Sequence, residues 1–441
     1  MFRTEDGNEA TDQCGTIPRA GPALMAFALF VDVVIRSLYR IHVTGLENHS
    51  HSPSTLVVTN HQHDADGPII ASMLLDRHGV VPHGTLPWFV AREDLFRRGF
   101  LAEYLETWPV PLREPMRWLW LGWFLRFMQA RPMRRIPERS LHEVLEDVLR
   151  VDGDLPLETV LRPAWRRRVE ALAGGRCDSL RVTDVLRRRR YRDLLAYRNG
   201  LRRLTLRRFR SLKPGQRRVI DEQLALFTRL LDRGETVLLA PEGAISLDGR
   251  FHEMRNALPA LVQRPRNPAR VLPVGITHDF MAGGREHVFV NVGPELTGLK
   301  GCSRRELCEQ VASAVQSLLT VTATQLASDY LIRIRESGKA DVDADRLCAH
   351  VSHEAERFAA ARRRVDARLL KEKPLVARVA QYLDYCERFG TLEQCETGHY
   401  RLVDVDGRRP SGWRYRERPV RLAGNQLAAM EGTWQQHGKA H

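Results

Sequence analysis

Short uninterrupted apolar runs alternate with amphipathic stretches over roughly the first two thirds of the chain. Residues 55–60, Thr-Leu-Val-Val-Thr-Asn, predict a buried strand. Gly67-Pro68 then opens a helix through Leu75, because proline suits the first helical turn. Residues 86–91 predict a second strand. From 218 to 233, Ile220, Leu224, Phe227 and Leu231 fall on one helix face, and Gly234 ends the helix. Residues 236–240, 271–276 and 287–292 read as further strands. Pro273 has no N–H for a ladder, which predicts an edge or a bulge there. Strands alternating with helices predict an α/β domain over residues 50–299, a mixed sheet flanked by helices.

The flanks read differently. Residues 1–20 carry Glu5, Asp6, Glu9 and Asp12, which is the wrong start for a secretory signal. Residues 23–35 are apolar but broken by Asp32 and followed by Arg36, and a spanning helix needs about 20 apolar residues. Leu24, Phe27, Phe30, Val31, Val34 and Leu38 recur near helical spacing. Residues 1–49 therefore form an N-terminal segment with one amphipathic helix, either on a membrane surface or packed on its own domain. Ser303 with Glu306 predicts a capping box, and helices follow to about Phe389 in a mainly helical extension, 300–441. Asp406-Gly407 predicts a hairpin turn.

At 441 residues, with 43% apolar and 28% charged positions, the chain holds two domains or one with insertions, and wholesale disorder is excluded. Seven scattered cysteines without Cys-x-x-Cys argue against a disulfide framework or a thiolate zinc site, and point to a reducing cytoplasm. The net charge of +14 is local: residues 160–218 hold 20 Lys or Arg against 4 Asp or Glu, and the rest is slightly acidic. This Arg-rich insertion, about 137–218, reads as a solvated, partly self-paired helical face. It also suits anionic lipid. No specific nucleic acid is expected, because no recognition motif accompanies the charge. Trp108, Trp118, Trp120 and Trp123, with Phe124 and Phe127, read either as a lipid-interface cluster or as a core helix.

The densest polar cluster, Asn60-His61-Gln62-His63-Asp64-Ala65-Asp66, follows the first buried strand. Three His-x-x-x-x-Asp spacings occur, and geometry separates them. His142 and Asp147 fall about 140° apart on one helix. His399 and Asp404 fall on opposite faces of a strand. His61 and Asp66 sit in a strand-to-helix turn, where the carboxylate can fold back onto the imidazole, fix its tautomer and leave the other nitrogen as a general base. A metal reading competes, because His61-x-His63 with Asp64 and Asp66 resembles a metallo-β-lactamase-type signature. That signature needs Asp at 65 and His at 66, where this chain has Ala65 and Asp66. No metal is predicted, and a metal-dependent hydrolase stays a lesser alternative. His63 reads as a turn residue facing solvent or its own backbone.

A second cluster, residues 240–246 with Pro241-Glu242-Gly243, ends another strand, and Arg250 and Arg255 follow. In order, the His61–Asp66 turn, the Arg-Pro-Met-Arg-Arg run at 131–135, Pro241-Glu242-Gly243 and Leu272-Pro273-Val274 resemble the four blocks of the glycerolipid acyltransferase family, the 1-acylglycerol-3-phosphate O-acyltransferase type. The resemblance covers about residues 50–295. It implies His61 as base and Asp66 as its orienter. Arg135 would bind an acceptor phosphate, with Arg134 the fallback. Glu242, Gly243 and Arg255 would serve the acceptor side. The acyl donor implied is a thioester on coenzyme A or acyl carrier protein, a co-substrate, with no bound cofactor. The acceptor implied is a glycerolipid hydroxyl such as that of lysophosphatidic acid, and the protein would sit peripherally on a membrane. The chain departs from the family at Ala240, Ala244 and Ile245, where Phe, Thr and Arg are usual. Loss of that arginine keeps a non-phosphorylated acceptor open.

Overall fold

The apolar runs read from the sequence become neighbours in one sheet. The computed structural model describes residues 21–50, 53–74, 86–97, 99–100, 110–116, 118–136, 139–174, 180–281, 283–406 and 418–437. Its main sheet contains β1 (Tyr39–Thr44), β2 (Thr55–Thr59), β3 (Trp88–Arg92), β4 (Ala130–Met133), β5 (Val237–Leu239), β6 (Arg270–Asp279) and β7 (Glu286–Val292). The order is β1-β7-β6-β2-β5-β3-β4. Pairings β1–β7, β2–β6, β2–β5 and β3–β5 are parallel, and β6–β7 is antiparallel. This is the mixed α/β sheet flanked by helices that the alternation predicts. β2 is buried along its whole length, which is why its sequence is continuous rather than alternating.

Pro273 departs from the expectation of an edge. β6 is central, between β7 and β2. The β7 ladder starts only at Val274, paired with Val292, so Pro273 lies one residue before it. Its carbonyl accepts from Gly293 N–H at 2.9 Å, while its missing N–H falls outside the β7 ladder.

Residue contacts divide the chain into two compact units. The first takes the described residues up to Phe89, then 127–129, then those from Arg233 onward; the second takes 90–126 and 130–232. In the first unit, α1 (Pro22–Leu38) buries Leu24, Ala28, Asp32 and Ile35. Ile35 joins the core of Val57, Ile69, Ile70, Leu272 and Val290. The helix is thus packed on its own unit, yet Phe30 and Val33 remain 61% and 67% exposed. α2 (Asp66–Leu74) follows the His61 turn. No helix among the described residues is long and apolar enough to cross a membrane.

The second unit contains α3 (Leu141–Asp152) and α4 (Leu206–Asp232). α3 begins with the Ser140–Glu143 capping box, and its His142 pairs with Glu146 instead of Asp147. α4 starts twelve residues before the sequence-predicted helix and runs through Pro214, its first turns held by buried Leu212 and Gln216. The Arg-rich segment is folded around its own apolar core, with Leu145, Val160, Val182, Tyr191 and Leu204 fully buried. Its charges are partly paired, as in Arg181–Asp154, Arg188–Asp184 and Arg208–Asp152. Arg168 and Arg203 lie over the Trp165 ring at 4.8 and 4.5 Å. Trp118 and Trp123 are 85% and 62% exposed, which removes the core-helix reading for these two; Trp108 lies outside the described residues.

The C-terminal residues belong to the first unit. They form α5 (Arg304–Ser317), α6 (Ala323–Glu336), α7 (Ala344–Ala360), α8 (Glu372–Arg388) and α9 (Pro419–His437). The predicted Ser303–Glu306 capping box starts α5. The described hairpin is Leu392–Glu396 with His399–Leu402, turning at Gly398; of the predicted turn, Gly407 lies outside the described residues. His399 pairs with Asp343 rather than Asp404.

One buried ion pair joins these helices to the sheet. Asp279, the last residue of β6, takes two bonds from Arg378 of α8 at 2.7 Å, and a further one from Thr324 of α6 at 2.6 Å. Burial would push the Asp279 carboxyl up, but Arg378, Thr324 and Arg368 overcome it and hold it below its usual range. Removing one partner strands the other charge in the core, which costs about 3–5 kcal/mol. Asp279→Ala is therefore expected to lower the denaturant midpoint strongly. Asp279→Leu combined with Arg378→Met should lose less than either single change in a double-mutant cycle.

Candidate active site

The two polar clusters meet because their strands are neighbours. β2 and β5 run parallel, with Val57 opposite Leu238 and Val58 opposite Leu239. Their carboxyl ends therefore release two turns side by side, the place where open α/β sheets bind ligands. Asn60 marks the exit of β2. Its side-chain amide donates to Ile276 O and accepts from Ile276 N–H, both at 2.9 Å, so it extends the ladder to β6 by one more pair.

The next residues fold around the Asp66 carboxylate. Asp66 opens α2, and its Oδ2 accepts from the backbone N–H groups of Gln62 at 2.6 Å and His63 at 2.8 Å. The same oxygen is 3.1 Å from His61 Nδ1. His63 Nδ1 accepts from Ala65 N–H at 2.9 Å, so His63 serves its own turn's backbone and is buried, not facing solvent. Asp66 Oδ1 takes a bond from His278 Nε2 at 2.8 Å, and His278 Nδ1 reaches Glu286 at 2.6 Å. Asp66 is 1% exposed. Burial would raise its carboxyl, but hydrogen bonds from His278 and His61 and their charge overcome this and hold it far below the usual range. A fixed anion accepts only, so His61 Nδ1 carries the proton. His61 Nε2 has no protein partner among the described residues, and the ring lines an open cavity.

The Pro-Glu-Gly turn forms the facing wall. Gly243 has φ +72°, a left-handed conformation that favours glycine, and its N–H bonds Ala240 O at 2.9 Å. Ser246 N–H donates to His61 O at 3.2 Å, tying the two turns together. Glu242 is buried and accepts from His252 N–H at 2.8 Å. Burial pushes its carboxyl up to about 7, against the His252 N–H bond and the charge of the His252 and His61 rings. Glu242 therefore anchors the backbone at His252. Arg255 serves the same turn: its Nε donates to Glu242 O at 3.3 Å and its N–H to Pro241 O at 2.8 Å. Arg250, rather than Arg255, lines the cavity.

That cavity is open to solvent. Asn60, His61, Gln62, Glu242, Ser246 and Arg250 line one side. The other side comes from the C-terminal region: Gln316 and Leu319, Gln325 of α6, and Gln426, Ala429 and Met430 of α9. Asn425 of α9 also donates to Asp248 O at 2.8 Å, pinning the helix to the loop. The sequence offered no role for these residues, since each is far along the chain from His61.

Arg134 and Arg135 belong to the second unit. Arg134 is committed to Glu93, its Nη2 lying 2.7 Å from Oε1, and to Gln216. Arg135 lines a separate cavity with Arg92, Glu93, Asp94, Arg97, Arg139 and Glu143. Among the described residues no group of three or more His, Cys, Asp or Glu side chains is arranged to hold a metal ion.

The Glu242 carboxyl gives a pH test. Its folded pKa of about 7 lies above the ordinary carboxylate value of 4.5. Its contribution to stability is then fully present below about pH 4.5 and is lost as pH rises through about 7. Glu242→Gln keeps an acceptor for His252 N–H and cannot ionise. Relative to wild type, its melting temperature is expected to be several degrees better at pH 8 than at pH 4; an equal difference at both pH values would contradict the assignment.

No protein-family model and no curated protein matches this chain. Among solved structures, the crystal structure of the 1-acyl-sn-glycerophosphate (LPA) acyltransferase PlsC from Thermotoga maritima is similar, with 17% sequence identity and a TM-score of 0.33. The match covers 66% of this chain and 76% of that one.

Proposed function

We propose that this protein is an acyltransferase, moving a fatty acyl group from an acyl thioester to a hydroxyl of a glycerolipid acceptor such as lysophosphatidic acid. The observation that carries this reading is the His61 ring, with Nδ1 tied to an ionised Asp66 and Nε2 open to a cavity. In this reading Nε2 takes the acceptor hydroxyl proton as the oxygen attacks the thioester carbonyl. Collapse of the tetrahedral intermediate forms the ester and breaks the C–S bond. The departing thiolate takes the proton back from His61. No covalent acyl-enzyme and no metal enter the scheme. The donor is a coenzyme A or carrier-protein thioester. Peripheral membrane attachment is part of the proposal, supported by exposed Phe30, Val33, Trp118 and Trp123.

A second reading keeps the chemistry and makes the acceptor a non-phosphorylated lipid or small alcohol. It is favoured by the cavity lining, in which Gln62, Gln316, Gln325 and Gln426 lie beside Arg250. Ile245, where the family has arginine, points the same way.

The test is thioester consumption by purified protein with an acyl-CoA panel, comparing detergent-dispersed lysophosphatidic acid with a monoacylglycerol. His61→Ala is expected to lower kcat by roughly 10²–10⁴-fold with unchanged thermal unfolding. Unchanged turnover in that variant would refute the assignment of the base. Arg250→Ala should raise KM for the phosphorylated acceptor. A phosphate-independent preference in wild type and in this variant would select the second reading.

A further inference from the structure

His278 is not part of any motif that marks the site, yet it is the most constrained ionisable group beside it. It lies on β6 across the sheet from the His61 turn and is 1% exposed. One ring nitrogen meets Asp66 at 2.8 Å and the other meets Glu286 at 2.6 Å. Two carboxylates accept and do not donate, so both ring nitrogens carry protons. The His63 ring lies over the His278 ring at 5.2 Å and 24°, and Tyr39 stands edge-on to both. His63 accepts a backbone N–H and is neutral at that nitrogen. The groups facing His278 are therefore two carboxylates, one imidazole and one phenol, with His61 beyond Asp66.

We propose that His278 is a positioning residue for His61: a buried imidazolium that clamps Asp66 Oδ1 and, through Glu286 on its far side, is itself held in place. The proposal rests on the reading of His61 as the base. Asp66 Oδ2 already serves three donors, and the His61 contact, at 3.1 Å, is the longest of them. Oδ1 is the oxygen that His278 holds. With that bond gone, the carboxylate is free to rotate and exchange its oxygens, and the His61 ring loses its single tautomer and its aim. The charge row Asp66⁻–His278⁺–Glu286⁻ also keeps Asp66 ionised while His61 holds the acceptor's proton, so the proton waits on His61 for the leaving thiolate. Burial alone would push His278 down, but the two carboxylates overcome it and raise it to about 9. At neutral pH both ring bonds are present, and as pH rises through about 9 the ring keeps a single N–H and one of its two carboxylate bonds is lost.

The experiment compares full-length wild type with His278→Gln and Glu286→Gln. Long-range ¹H–¹⁵N spectra of ¹⁵N-histidine-labelled protein, assigned with the His61→Ala and His278→Gln variants, report ring protonation without any need for turnover. Wild type is expected to show His278 protonated on both nitrogens and His61 as one Nδ1–H tautomer. In His278→Gln, His61 should become a tautomer mixture. With thioester and acceptor, kcat should fall roughly 10–100-fold while both KM values hold within about twofold. The loss of activity near pH 9 in wild type should be absent from the variant, with circular dichroism showing both folded. Glu286→Gln should give a smaller change of the same kind, and it carries the test if His278→Gln fails to fold. A single His61 tautomer and unchanged kcat in both variants would overturn the proposal, and the acyltransfer reading would survive if His61→Ala is inactive. A tautomer change without any thioester turnover in wild type would support the positioning role and overturn the reading of the reaction.

Discussion

The site depends on one buried carboxylate. Asp66 is taken out of water at the start of α2, and an unpartnered carboxylate at that depth would protonate or unfold the turn. Four donors prevent this: two backbone N–H groups of its own turn, the His61 ring and the His278 ring. Each donor comes from a part of the fold that must already be in place. The N–H groups of Gln62 and His63 require the turn after β2. His278 requires β6 to pair with β2 in register, with Val58 opposite Pro273. The side-chain amide of Asn60 fixes that register at the point where β2 ends. The carboxylate therefore ties strand pairing, turn geometry and imidazole orientation together.

Local chemistry made about half of this legible. The continuous apolar run of β2 and its polar exit announce a buried parallel strand with a site at its end. The turn context alone separates His61–Asp66 from the two other pairs of equal spacing, and those two do not bond. Glu242 was visible as a strand-end carboxyl, but its bond to the backbone N–H of His252 was not. His278 escaped because its bond to Asp66 spans 212 residues. A signal existed: Thr277-His278-Asp279 are three polar residues ending an otherwise apolar strand, and all three are buried. Such a run marks partners arriving from elsewhere in the chain.

Those partners explain the C-terminal region, which the sequence left without a role. Asp279 binds Arg378, and Thr324 bonds the same carboxylate. This fixes α6 and α8 against the end of β6. α9 packs on α6, where Gly424 admits Ile332 at a distance no Cβ would allow. Gly249, at φ +79°, lies against the Leu422 carbonyl on the same helix. The result is a wall of Gln325, Gln426, Ala429 and Met430 facing His61. Helical periodicity shows that such helices have an apolar face. It cannot show which polar residues at their edges complete a distant cavity.

Asp66 and Glu242 are buried to nearly the same degree, at 1% and 4% exposure, and sit on adjacent turns. Burial pushes both carboxyls up. What separates them is the charge of their partners. Asp66 is hydrogen-bonded by an imidazolium and an imidazole and stays an anion, while Glu242 bonds the backbone N–H of His252, feels the His252 and His61 rings only through their charge, and is carried to about 7. Divergent environments of this kind give two carboxyls two tasks. The first is a fixed charge that orients a ring. The second changes charge near neutrality while holding the His252 N–H. As Glu242 ionises, its bond to the His252 N–H becomes charge-assisted and stronger. The burial of its charge becomes costly at the same time. The His252 N–H is then held most firmly where burial of the Glu242 charge costs most.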